Sequence, residues 1–94
     1  MNQVIWSDLA YLSYTDISDY LSFNFSLDAA LKFDAQVENL CEKLISFNEF
    51  CPKYQPRPAL RNCKVNKFIS LLYRIDGNKI HLITFHDNRS IHPY

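Results

Sequence analysis

The sequence predicts a small α+β domain, an αα-hairpin packed on one face of a four-stranded, mainly antiparallel sheet in the order β-α-α-β-β-β. Three observations predict it. Residues 7–49 repeat their apolar positions at helical spacing in two blocks. Residues 60–87 change to short runs rich in Ile, Leu, Val, Tyr and Phe. Between them, Pro52, Pro56 and Pro58 stop helical continuation. With 94 residues, 48% of them hydrophobic, the chain has enough apolar surface for one core and is expected to form a single domain over 1–94.

The first element is a β-prone run at 3–6 that stops at Ser7. Ser7 followed by Asp8 reads as a helix N-cap with an acid in the first turn, where the helix dipole favours negative charge. Ala10, Tyr14, Ile17 and Leu21 then recur at i, i+4, i+7 and i+11, with Asp16, Ser18, Asp19 and Ser22 facing elsewhere, which predicts a helix over 7–24. Ser26 and Asp28 repeat the same start. Ala30, Phe33, Val37, Leu40, Cys41, Leu44 and Phe47 form the stripe of a second helix over 26–49. So short a connection leaves only an antiparallel neighbour. The stripe suits either a core or a partner-binding face; because a hairpin must cover a sheet, core is the expectation.

Residues 51–59 form the connector, and strands follow at 60–65, 68–75 and 79–87. Asp76-Gly77-Asn78 is a hairpin signal, since glycine adopts positive φ freely and asparagine tolerates it. A two-residue Gly77-Asn78 loop sets Asp76 opposite Lys79 and Ile75 opposite Ile80, a better pairing than Arg74 opposite Lys79. Asn66-Lys67 is expected to make the other turn. The run at 3–6 joins the sheet with the C-terminal strands. The predicted core comprises Trp6, Ala10, Ile17, Leu21, Phe33, Val37, Leu40, Leu44, Leu72 and Ile83.

Net charge is zero, yet the halves are opposite. Residues 1–50 hold eight acids and two lysines, a charge of −6, and residues 51–94 hold eight basic residues and two acids, a charge of +6. Such asymmetry marks one layer for an anionic partner and the other for solvent or a basic partner, unless the acids merely solvate the helices. Apolar runs are too short to span a bilayer as helices, and the N-terminus lacks a basic start followed by an apolar stretch, so a cytoplasmic address is expected. Cys41, Cys51 and Cys63 are odd in number and not closely spaced, which predicts buried thiols rather than a disulfide framework. His81, His86 and His92 lack metal-ligand spacing, so neither metal nor other cofactor is expected.

Several stretches in order resemble the RelE/ParE superfamily of bacterial toxins from type II toxin–antitoxin modules, which include plasmid-stabilisation systems. Val4-Ile5-Trp6-Ser7 with Ala10, Ile17 and Tyr20 is similar to its opening strand, cap and helix. Arg61 with Val65 resembles its second strand, and Leu72-Tyr73-Arg74-Ile75 with Lys79-Ile80-His81-Leu82-Ile83 resembles the third and fourth. Phe85-His86-Asp87-Asn88-Arg89 resembles its polar, arginine-containing close. The resemblance spans nearly the whole chain. It implies growth inhibition, an antitoxin that wraps and silences the toxin, and assembly as a homodimer or toxin–antitoxin hetero-oligomer.

Within that superfamily three readings stay open. RelE-like members are ribosome-dependent endoribonucleases, and cleavage through the RNA 2′-hydroxyl needs a base, cations for the phosphate and an acid for the leaving oxygen. Under that reading Arg61 and Arg89 supply charge, His86 or His92 moves protons, and Tyr94 acts as acid or stacking group; histidine suits the task because its ordinary pKa is near 6.5. ParE-like members instead bind and poison DNA gyrase. A sequence pI near 6.8 and sparse Lys and Arg on the second helix favour the gyrase reading, because RNA affinity rests largely on phosphate neutralisation. The third reading is an inactive, protein-binding relative.

Overall fold

The structure, a computed structural model, describes residues 2–88. Its elements are β1 (Gln3–Trp6), α1 (Asp8–Asn24), α2 (Leu27–Ser46), β2 (Arg61–Lys64), β3 (Ile69–Asp76) and β4 (Lys79–Asp87). The four strands form one sheet in the order β1-β4-β3-β2, with β1 parallel to β4 and the other neighbours antiparallel. The expected element order and mixed sheet are therefore present.

Local chemistry explains the helix starts. Ser7 holds an extended backbone and its Oγ accepts the Ala10 N–H at 2.9 Å, while the same hydroxyl donates to the Ile83 carbonyl at 2.9 Å. One side chain thus caps α1 and ties it to β4. Ser26 caps α2 through the Ala29 N–H at 3.1 Å. The second helix ends at Ser46, three residues before the expected boundary, because Phe47 turns extended.

The core lies between the hairpin and one face of the sheet. Ala10 and Ile17 from α1, Phe33, Val37, Leu40 and Leu44 from α2, and Leu71, Tyr73, Ile80, Leu82 and Phe85 from the strands are all buried. Of the expected core, Trp6, Leu21, Leu72 and Ile83 fall short of full burial. Trp6 sits on an edge strand and stays 38% exposed although its ring packs 5.5 Å from Phe85. Strand alternation turns Leu72 to the open face, opposite its buried neighbours Leu71 and Tyr73. Phe47, counted in the α2 stripe, is 56% exposed beyond the helix end.

The Gly77-Asn78 turn gives the expected register, with Asp76 opposite Lys79 and Ile75 opposite Ile80; Gly77 has φ +60°. Further along, the β3–β4 register shifts between Leu72 and Tyr73, which leaves Ile83 as an extra residue in β4. Ser13 fills this irregularity from α1. Its buried hydroxyl accepts the Phe85 N–H at 2.9 Å and donates to the Ala10 carbonyl at 3.1 Å. The β2–β3 turn is broader than Asn66-Lys67: the Val65 N–H reaches the Ile69 carbonyl, and the Asn66 side chain accepts from the Phe68 and Ile69 amides.

One sequence expectation is overturned outright. Cys51 and Cys63 are joined in a disulfide, and Cys41 is the free thiol among the described residues. The proline-rich connector doubles back so that Lys53 bridges Arg61 antiparallel and the Asn62 N–H reaches the Pro52 carbonyl at 3.0 Å. That return places the two Cα atoms 5.2 Å apart, within bonding range for a disulfide.

Candidate target-binding face and the residues around it

Of the five residues singled out for chemistry, Arg61 and His86 lie among the described residues, and Arg89, His92 and Tyr94 lie outside them. Arg61 begins β2 opposite Tyr73, on the side of the sheet that the helices cover. Its guanidinium donates to the Cys51 carbonyl at 2.7 Å and pairs with the Glu49 carboxylate at 3.0 Å. Tyr73 completes this knot. Its hydroxyl donates to the Asn48 carbonyl at 2.7 Å and accepts from the Cys51 N–H at 3.4 Å. Burial raises the Tyr73 pKa, against smaller opposing effects of the Cys51 hydrogen bond and Arg61, so the phenol stays protonated.

His86 occupies the other face. It lies opposite Ser70 in β4, and its Nε2 is 3.3 Å from the Asn62 Oδ1, reaching across β3 to the strand beyond. Burial lowers its pKa, partly countered by Asp87, so the ring is neutral at pH 7. Arg61 and Asn62 are consecutive in a strand, so their side chains point to opposite faces. The structure accordingly separates Arg61 from His86. Arg61 is built into a structural knot with the disulfide, and His86 belongs to the face that no helix covers among the described residues.

By the strand register, that uncovered face also carries Lys64, Arg74 and His81, with Ile5 from the edge strand. His81 lies 4.0 Å from Asp76. Most of the second half's positive charge is thus distributed along the strands and the connector, while seven of the eight acids of the first half sit on the two helices, so the two charged halves of the sequence become two layers. Sequence reasoning singled out neither Glu49 nor Asn62. The expected helix ran through 49, and only its earlier end at Ser46 leaves Glu49 beyond the helix to meet Arg61 on the edge strand.

A family model described as "ParE toxin of type II toxin-antitoxin system, parDE" matches residues 4–89. The chain belongs to this ParE toxin family. The match runs from β1 through β4 and so takes in every element of the fold. Among solved structures, a chain of "Chromosomal ParDE TA system from P. aeruginosa" is similar in fold, with a TM-score of 0.78 at 18% identity, covering 93% of this chain and 96% of that one. No curated protein matches. Among the described residues no helix is long and apolar enough to cross a membrane. The resemblance first carried by short stretches such as Val4-Ile5-Trp6-Ser7 is therefore borne out at the level of family and fold.

Proposed function

We propose that this ParE-family chain arrests bacterial growth from the cytoplasm by binding DNA gyrase through the face of its sheet opposite the helices, and that a cognate antitoxin silences it. The observation that supports binding over RNA cleavage is the separation of Arg61 and His86 on opposite faces of the sheet. A base, a charge stabiliser and an acid acting on one phosphate must lie around one reacting centre. Arg61 is instead occupied by Glu49 and the Cys51 carbonyl, where its loss would damage the fold before any chemistry. The neutral overall charge points the same way, because affinity for ribosome-bound RNA is dominated by phosphate contacts.

Under this reading Lys64, Arg74 and His81 are contact residues, His86 is held by Asn62 within the face, and none has to transfer a proton. His86→Gln tests this in growing cells. It is expected to leave growth arrest intact and reversible by a co-expressed cognate antitoxin. Were His86 the proton-transfer residue of a ribonuclease, the same change would slow cleavage by roughly 10²- to 10⁴-fold and relieve the arrest.

A further inference from the structure

Two apolar grooves border the α1–α2 hairpin, and their charges differ in sign. One includes Phe25 and Phe68 with Lys32 and Lys67. The other, of about 510 Å³, is walled by Trp6, Tyr11 and Tyr14 with Cys41, and its charged members are Asp34 and Glu38. Two of these rings, Trp6 and Tyr14, are held in place by neighbouring rings. Trp6 meets Tyr14 edge-on at 5.4 Å, and Tyr14 stacks on buried Phe33 at 5.3 Å. The Tyr14 hydroxyl donates to the Asp34 carboxylate, which holds that acid in the groove wall. Trp6 is 38% and Tyr11 64% exposed, so both rings offer surface to an occupant.

Neither carboxylate is ion-paired within the chain, among the described residues. Ring faces carry partial negative charge and attract cations. Three rings and two carboxylates without an ionic partner among the described residues therefore favour a positively charged group with an apolar stem, and they repel phosphate. The groove volume exceeds the needs of one side chain, which points to a segment of chain rather than a small amine.

We infer that this groove seats a lysine or arginine side chain of a basic amphipathic segment of the antitoxin, its stem against Trp6 and Tyr11 and its cationic head between Asp34 and Glu38. The inference rests on the reading that an antitoxin silences the chain, and it names the chemistry by which the helical layer recognises that partner. It also gives the charge of residues 1–50 a purpose distinct from the basic sheet face.

The sequence holds a single tryptophan, so its emission reports directly on the groove. The probe is a synthetic amphipathic peptide of leucine, alanine and arginine, compared with a twin in which citrulline replaces arginine, keeping shape and removing charge. The arginine peptide is expected to change Trp6 emission saturably, and the citrulline twin to bind roughly ten-fold more weakly, the discrimination weakening with salt. Glu38→Gln, at an exposed helix position, should erase most of that difference, and Tyr11→Ala should weaken the arginine peptide several-fold, both without loss of thermal stability. Equal affinity of the two peptides, or full discrimination in Glu38→Gln, would overturn the inference. So would an emission change that grows with protein concentration alone, since a second copy would then be the occupant. Peptide binding in a chain that fails to arrest growth would leave the cation groove standing and remove the toxin reading on which its partner rests.

Discussion

Breaking the Cys51–Cys63 bond should cost this domain a large part of its stability. The bond spans 12 residues of sequence, and closing a loop of that length in the unfolded chain removes entropy equivalent to about 3 kcal/mol. The folded side adds little offset, because the Arg61 contact to the Cys51 carbonyl, the Lys53–Arg61 bridge and the Tyr73–Asn48 hydrogen bond hold the return of the connector without the bond. For a domain near 100 residues each kcal/mol moves the melting temperature by roughly 4–8 °C, so a fall of about 12–24 °C is expected. The assay is thermal and urea unfolding of the oxidised protein beside the same protein reduced and alkylated after brief unfolding, with Cys51→Ala/Cys63→Ala as a variant free of alkyl groups. A loss below about 0.5 kcal/mol, the range of ordinary surface changes, would refute the account of this bond as the staple of the connector.

Other consequences can be measured with the same material. Thiol titration of the denatured, unreduced protein should find one free thiol per chain, rising to three after reduction; burial and Glu38 push the Cys41 thiol up to about 11, so in the folded state it should also react slowly at pH 8. Ser13→Ala removes the acceptor of the buried Phe85 N–H and should cost about 1–3 kcal/mol, against almost nothing for Ser22→Ala at an exposed position of the same helix. Leu40→Ala should cost about 2–5 kcal/mol, and a loss under 0.5 kcal/mol would mean that α2 turns this face to a partner instead of the sheet. The folded pKa of His86 lies below its ordinary value near 6.5, so the unfolded chain binds the extra proton and stability should fall as pH drops below about 6.5. In His86→Gln that part of the pH dependence should be absent.

Much of the fold was legible because local rules agreed with the final packing. Ser7 and Ser26 are caps by chemistry alone, and both hold the amide three residues on. Asp76-Gly77-Asn78 dictated its turn and its register, and the helical stripes matched the buried faces except at their ends. What escaped depends on long-range placement. Trp6 is apolar in sequence but lies on an edge, where its ring becomes a groove wall instead of core. The extra residue at Ile83 exists because Ser13 reaches over from α1, 70 residues earlier in the chain, a contact with no local signature. The disulfide was missed because counting thiols ignores the path between them; the prolines that marked the connector as a loop also return it to β2.

The candidate residues were legible by type and not by location. Arg61 and His86 are the right groups for phosphate chemistry and stand only 25 residues apart in sequence, yet strand alternation sends them to opposite faces. One of them then serves the fold. The reversal of charge between the halves fared better, since it became the difference between an acidic helical layer and a basic sheet, and each layer now carries its own proposed partner.

The central claim, that the chain acts by binding gyrase and not by cutting messenger, is tested most directly by titrating the purified full chain into a gyrase supercoiling reaction and, in parallel, into translating ribosomes carrying a labelled messenger. The account predicts loss of supercoiling at toxin concentrations comparable to the enzyme, with the messenger left whole. Messenger cut on the ribosome while supercoiling proceeds undisturbed would contradict it.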